Sequence, residues 1–262
     1  MDLAADTTKR RADAWAWRFV FTALSFALFG VGGLVLRIFV LPVVMHWPAP
    51  LEVRRRRARR TVGKAFWLHS QFMYRTGVVT YQFEGLERLG RPGQMIVANH
   101  PSLIDVVFLI GHVPDANCVV KHSLWKNPFM RGPICVAQYI SNDGSADMLE
   151  RAADVLREGQ TLIVFPEGTR TTPGQAPVFH RGASAIAVRG ASIITPVFIT
   201  VEPTTLTKAD RWYHVPNRRV QMRFRVGDDI SVAAFSGEAP APIASRRLNE
   251  HLHRLYARER QA

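Results

Sequence analysis

Cysteine is nearly absent. Only Cys118 and Cys135 occur in 262 residues, each inside an apolar run. Two residues make no disulfide framework, and no histidine cluster joins them at metal-ligand spacing. They read as buried free thiols of a reducing compartment. Acidic residues are scarce as well: 21 Asp and Glu against 34 Lys and Arg leave a net charge of +13 and a pI near 10.8. That balance implies an anionic partner: nucleic acid, anionic lipid or an acidic substrate. Internal repeats and low-complexity tracts are missing, which argues against a solenoid or a compositional linker. With 47% hydrophobic residues, the chain can bury a sizeable core, which excludes global disorder.

One stretch lacks charge entirely. Residues 19–36, FVFTALSFALFGVGGLVL, hold no ionisable side chain, and a helix of that length spans about 27 Å, close to the thickness of a bilayer's hydrocarbon. Trp15 and Trp17 lie on one flank and Trp47 on the other, where amphipathic rings favour headgroups. The apolar region is long for a cleaved signal peptide, and no small-residue cleavage site follows it. A membrane segment is predicted, with a buried core helix as the competing reading. Gly30, Gly32, Gly33 and Pro42 leave a broken or re-entrant segment open beside a straight span. Six arginines then crowd into residues 54–60. Beside an apolar segment, such a cluster belongs on the cytoplasmic side, facing anionic headgroups. Ala58, Val62, Ala65, Phe66, His69, Phe72 and Met73 follow at helical spacing. They predict an amphipathic helix, basic at its start, that lies along a membrane surface. The alternatives are a solvated face of a soluble helix and a nucleic-acid arm. The second lacks interleaved aromatics and any recognisable recognition module.

From residue 78 the pattern changes, and the chain divides into an N-terminal anchor with its basic helix (1–77) and a catalytic domain (78–262). Short apolar runs at 78–83, 94–98, 118–121, 134–140, 161–165, 193–200 and 220–226 predict strands. Helical patterns fall between or after them at 103–111, 145–158, 181–189 and 242–258, with Gly159 and Gly190 where helices should stop. This alternation predicts an α/β fold: a mixed, largely parallel sheet flanked by helices, preceded by a membrane-associated helical segment. Residues 237–242 offer a hinge before the last helix.

Two stretches carry chemistry. Ala98-Asn99-His100-Pro101-Ser102-Leu103-Ile104-Asp105 follows the strand at 94–98. Pro101 suits a first helical position, because its missing N–H would be unpaired there. His100 then sits at the mouth of the helix, with Asp105 presented from its second turn. Asp105 would hold one ring nitrogen and leave the other as a base. The competing reading of this spacing is a helix cap or a core pair. The second stretch, Thr161 to Arg170 (TLIVFPEGTR), ends a buried-looking strand in a carboxylate, a hydroxyl and a guanidinium. Ligands of α/β sheets bind beyond the carboxyl ends of strands. Gly168 lets backbone approach a ligand, and Arg170 offers a planar fork to phosphate or carboxylate. A turn with a surface Glu–Arg pair is the bland alternative.

NHPSLID at residues 99–105, followed by FPEGTR at 165–170, resembles the glycerophospholipid acyltransferase family. The resemblance covers roughly residues 78–201. KHSLWKNPFMRG at 121–132 looks like the family's lysine-containing segment, and Thr195-Pro196-Val197 like its later proline-containing strand. It implies a 1-acyl-glycerol-3-phosphate acyltransferase or a relative. His100 would be the general base and Asp105 its orienting partner. Glu167, Gly168, Thr169 and Arg170 would bind the acceptor, with Lys121, Arg131 and Asn142 as further substrate-binding positions. The implied donor is an acyl thioester of coenzyme A or acyl carrier protein, used as co-substrate with no cofactor or metal. The implied partners are a lysophospholipid acceptor and anionic membrane lipids, and not nucleic acid. The implied location is a membrane, that of a bacterial inner membrane, with the catalytic domain facing the cytoplasm.

Elementary chemistry agrees with that assignment. Acyl transfer to a hydroxyl needs a base, and a positioned histidine contributes about 10²–10⁴-fold. It also needs oxyanion donors, for which backbone N–H groups at the start of the helix after His100 are candidates. Serine hydrolysis fits poorly: Gly182-Ala183-Ser184-Ala185-Ile186 lacks the second glycine of a nucleophile elbow, and Ser102 reads as structural. One departure concerns the acceptor. Where many glycerophosphate-using relatives carry an arginine after the lysine-containing block, this chain has Asn142. Asparagine does not replace bidentate phosphate recognition in kind. The phosphate would then fall to Arg131, Arg170 or Lys121, or the acceptor would be a different hydroxyl lipid, such as an ornithine lipid or an aryl polyene-type lipid. A basic, non-catalytic membrane or nucleic-acid binding protein is the reading from another class, and it leaves both motifs as accidents.

Overall fold

The structure, a computed structural model, describes residues 14–175, 177–237 and 239–259. Its centre is one sheet. The strands are β1 (Val79–Glu84), β2 (Gln94–Ala98), β3 (Asn117–Lys121) and β4 (Ile140–Asn142). They continue as β5 (Leu162–Val164), β6 (Ile193–Glu202), β7 (Val220–Val226) and β8 (Ile230–Ser231). Their spatial order is β1-β7-β6-β2-β5-β3-β4, with β8 beside β6. From β6 to β4 all neighbours run parallel, whereas β7 and β8 run antiparallel to β6. The central strands are buried on both faces, so they read in the sequence as continuous apolar runs. Side-chain alternation splits β2 between two cores: Ile96 and Ala98 face one, Met95 and Val97 the other.

Helices cover both faces. On the Met95 side lie α6 (Ala146–Arg157), α7 (Arg181–Gly190) and α9 (Ala241–Glu259), contributing Ala152, Ile186 and Leu248. A short α8 (Ala233–Ser236) precedes α9. On the Ile96 side lie α3 (Leu51–Arg75), α4 (Asp105–His112) and α5 (Pro128–Ala137). Ala58, Val62, Phe66 and Met73 of α3 are buried in this same core, matching the apolar spacing of that segment.

The strand expected at 134–140 is instead the second half of α5, followed by the short β4. Asn127 caps the helix by accepting the Phe129 N–H at 2.9 Å, Pro128 occupies the first turn, and Gln138 ends it in the left-handed conformation. Cys135 accordingly lies exposed on the helix and not buried in a strand, while Cys118 is buried as expected. Inside α5, Pro133 has no N–H to give Phe129 four residues back. That carbonyl oxygen lies against Gly33, where a Cβ would sit 2.4 Å away.

The N-terminal apolar stretch forms α1 (Trp15–Val35), one π-helical stretch (Leu36–Val40) and α2 (Leu41–His46). Residues Trp15–His46 are continuous, and long and apolar enough to cross a membrane. The π-helical stretch adjoins Pro42, whose missing N–H breaks the regular ladder. α1 is built inside out. Arg18, Thr22, Ser25 and Gly33 are buried against the protein, while Val20, Leu24, Leu28, Val31 and Val35 are exposed. Docking runs nearly its whole length. Trp15 Nε1 donates to Val215 O, Trp17 Nε1 to Thr76 O, and Arg18 to Pro216 O and Asn217 O. Further along, Arg37 Nη1 donates to Pro128 O at 3.2 Å.

Candidate active site

β2 and β5 are adjacent and parallel, with Val97 opposite Val164. Their carboxyl ends therefore deliver residues 99–105 and 165–171 to one edge of the sheet, although some 60 residues separate them in sequence. His100 Nδ1 lies 3.0 Å from Asp105 Oδ2, and the same oxygen accepts the Ser102 N–H at 2.7 Å. The predicted helix start shifts here. α4 begins at Asp105 and not at Pro101, because the carboxylate reaches back over residues 102–104, whose N–H groups are not in a helical ladder. Asp105 stands in the first turn of its helix, where a carboxylate meets the positive end of the dipole.

Burial pushes the Asp105 carboxyl above its ordinary range, while the bonds from His100 and Ser102 and the Arg170 charge pull it down. Its Oδ1 is buried with no hydrogen-bond partner among the described residues. The His100 ring packs on Phe165, centroids 4.5 Å apart. Two of the backbone donors considered for an oxyanion are occupied: the Ser102 N–H by Asp105, and the Leu103 N–H by Leu206 O at 3.1 Å. Among the described residues the buried Ser102 hydroxyl pairs with nothing, His100 included.

The second motif braces the first. Glu167 Oε1 accepts the His100 N–H at 2.9 Å and the Thr171 hydroxyl at 2.7 Å, while the Thr171 N–H donates to His100 O at 2.7 Å. Burial raises the Glu167 carboxyl, against the Thr171 and His100 bonds. Arg170 Nη1 donates to Leu206 O and Thr207 O at 2.8 and 2.7 Å. Leu206 itself stands at φ +52°, an unusual conformation for a leucine, held by donors from Arg170 and Leu103. Gly168, at φ +63°, makes the turn, and Thr169 is exposed beside it. Asn99 binds both backbone groups of residue 199 on β6 at 2.8 Å.

Of the remaining predicted positions, Lys121 and Asn142 share the edge but not the cluster. Lys121 ends β3 and Asn142 ends β4, directly opposite each other and exposed. With strands about 4.8 Å apart, they stand roughly 10 and 14 Å across the sheet from β2. Arg131 is exposed on α5. Sequence reading missed Phe165 as a ring partner, Thr171 as a brace and the 205–207 loop altogether. A Thr-Leu-Thr loop carries no signal of its own.

Beside the site lies an apolar cavity of 270 Å³. Leu103, Ile104 and Leu206 line it near the His–Asp pair, and Phe26 and Phe29 of α1 form part of its wall. Thr22, Ser25 and His69 give that wall a polar strip, with Ser25 Oγ 3.2 Å from His69 Nε2.

Taken together, a His–Asp pair at the carboxyl edge of an α/β sheet, a PEGTR brace and an adjoining apolar cavity make a site with a positioned base beside an apolar space. Residues 80–200 match the family model described as Acyltransferase. Among similar proteins, 1-acyl-sn-glycerol-3-phosphate acyltransferase of Pseudomonas aeruginosa is 29% identical over 172 residues, covering 61% of this chain and 64% of that protein. The alpha form from Mus musculus is 29% identical over 132 residues, covering 47% of this chain and 46% of that one. The chain thus spans less than two thirds of these relatives. The crystal structure of the 1-acyl-sn-glycerophosphate (LPA) acyltransferase PlsC from Thermotoga maritima superposes with a TM-score of 0.68 over 94% of this chain and 98% of that chain, at 22% identity. The two share a fold.

Proposed function

We propose that the protein is a membrane-associated O-acyltransferase. It moves a fatty acyl group from a thioester of coenzyme A or acyl carrier protein to the free hydroxyl of a lysophospholipid, with 1-acyl-glycerol-3-phosphate as acceptor and phosphatidate as product. The observation that carries this is the His100–Asp105 pair at 3.0 Å, set beside an apolar cavity. Asp105 accepts from Nδ1–H, which leaves Nε2 with its lone pair toward the acceptor. Nε2 takes the hydroxyl proton as that oxygen attacks the thioester carbonyl. When the tetrahedral intermediate collapses, the C–S bond breaks and the departing thiolate recovers the proton from the imidazolium. The cavity holds the acyl chain. Glu167 and Thr171 hold the His100 backbone, so the ring stays in register through the cycle.

The surface of α1 supports a membrane location. Contacts from Trp15 to Arg37 dock the helix on the domain over about 33 Å. Lipid cannot surround a helix held this way, so it lies in the interface with its outer apolar face in the acyl layer. A donor carried in the cytosol places the domain on the cytoplasmic face.

The test is purified protein in detergent with a radiolabelled acyl thioester and lysophosphatidic acid. Labelled phosphatidate is expected, and His100→Ala should lower turnover about 10²–10⁴-fold. Near wild-type turnover in His100→Ala would overturn the mechanism. Asn142 favours a second reading, a non-phosphatidate acceptor. A missing charge-assisted contact is worth around 1.5–3 kcal/mol, or roughly tenfold to a hundredfold. Specificity constants for phosphate and zwitterionic hydroxyl lipids, compared in wild type and Asn142→Arg, decide between the acceptors.

A further inference from the structure

The six arginines of residues 54–60 are not equivalent. Arg54 Nη1 donates to Met45 O at 3.0 Å, and Arg55 pairs with Glu52 at 2.6 Å. Arg56 and Arg59 grip Asp115 from two sides at 2.8 and 2.9 Å, Arg59 being buried. Arg54, Arg56 and Arg59 hold α3 to its surroundings, and Arg55 pairs within the helix. Arg57 and Arg60 are exposed on α3, and their guanidinium groups pair with no acid or carbonyl among the described residues.

Both line an open groove of 430 Å³ between α2 and α3. Val43, Val44 and Trp47 form its other wall, and Thr61 completes it, its hydroxyl already donating to Arg57 O at 2.9 Å. Trp47 is 62% and Val43 60% exposed. By helical spacing they continue the outward apolar strip of Val31, Val35 and Phe39. Two unpaired cations thus face an apolar wall at the end of the surface that meets the acyl layer. That is amphipathic complementarity: an anion at the rim, hydrocarbon below it.

We propose that this groove binds an anionic phospholipid of the membrane, its phosphate between Arg57 and Arg60 and an acyl chain along Val43, Val44 and Trp47. The site rests on the membrane-facing role of α1 given above and is independent of acyl transfer, since none of its residues belongs to the His100 cluster. A lipid held there fixes the docked helix at headgroup depth, which no diffuse attraction of the basic surface would do.

Flotation of the full chain with vesicles tests it, using phosphatidylcholine alone and phosphatidylcholine mixed with phosphatidylglycerol. The double variant Arg57→Gln/Arg60→Gln is compared with Lys64→Gln/Arg75→Gln, which removes equal charge from exposed positions of the same helix. Phosphatidylglycerol should tighten binding of wild type and of the Lys64/Arg75 variant alike. In the Arg57/Arg60 variant that gain should shrink by roughly thirtyfold, about fivefold for each arginine, at unchanged melting temperature. Brominated phosphatidylglycerol should quench a fluorescence component that Trp47→Phe removes. Equal losses in both double variants would show diffuse attraction and overturn the site, as would wild-type selectivity in Arg57→Gln/Arg60→Gln. Absence of wild-type binding to either vesicle would overturn the membrane role itself, and the groove's occupant with it.

Discussion

Asp105 has no accessible surface, yet His100 and Ser102 both donate to one oxygen and no described residue donates to the other. Burial raises its folded pKa above the ordinary 3.8, so its favourable contribution to stability is present below that value and fades as pH rises through the folded pKa. Asp105→Asn removes this ionisation while keeping an oxygen for Ser102 and His100. Turnover should fall a hundredfold or more, while thermal unfolding at neutral pH should be no earlier than in wild type. A variant both inactive and unfolded would show that the charge holds the fold. His69 works in the opposite sense. Burial lowers it from 6.5 to about 4, so it is neutral in the fold and its stabilising contribution is present above 6.5. That contribution is lost as pH falls toward 4, on the order of 3 kcal/mol. In denaturant titrations at neutral and acid pH, His69→Gln should flatten the fall in stability across this window. An unchanged pH slope would place the titration elsewhere.

At the scale of elements, the contact of α5 with α1 and the π-helical stretch after it depends on two glycines. A Cβ on Gly33 would meet the Phe129 carbonyl oxygen at 2.4 Å, and one on Gly132 the Arg37 Cβ at 2.5 Å. A Cβ on the neighbouring Gly32 would meet none of the other described residues within 4 Å. Gly33→Ala must therefore push the helices apart, at a cost of about 1–3 kcal/mol. Gly32→Ala should instead be neutral or gain about 0.5–1 kcal/mol from helix propensity. Limited proteolysis after residue 46 should be faster only in Gly33→Ala; equal rates would mean that the two helices are not held together there. The cavity between them gives the contact its importance, since α1 supplies part of its wall.

For the whole molecule, α1 is at once a wall of the protein and its apolar exterior. Deleting residues 1–50 would strip cover from Phe66, Met73 and Ile110 as well as remove the exposed strip, so a truncated domain should aggregate. Substitution on the outer face is the cleaner perturbation. Leu28 and Val31 are exposed and touch none of the cavity. Leu28→Asp/Val31→Asp should move the protein from the membrane fraction to the soluble fraction at unchanged melting temperature, since each aspartate costs about 2.5–3.5 kcal/mol in hydrocarbon. A double variant that still requires detergent would place the membrane contact on another face.

The sequence by itself determined the chemistry on offer: a histidine and an aspartate five positions apart, PEGTR after a strand, an uncharged run followed by arginines. It also located the central strands and most helices closely, because strands buried on both faces read as plain apolar runs and amphipathic helices repeat at their own period. The run 134–140 misled because a short, mostly apolar run suits a strand or a helix equally, and the Asn127 cap with Pro128 decided for helix. Only the tertiary structure decided that β2 and β5 are neighbours, and hence that Glu167 holds the backbone of His100. It alone brought in the 205–207 loop and turned the polar side of α1 inward. Periodicity reports which side of an element avoids water or lipid, but pairings between residues far apart in the chain follow from how strands and helices pack, and that is set by the whole sheet at once.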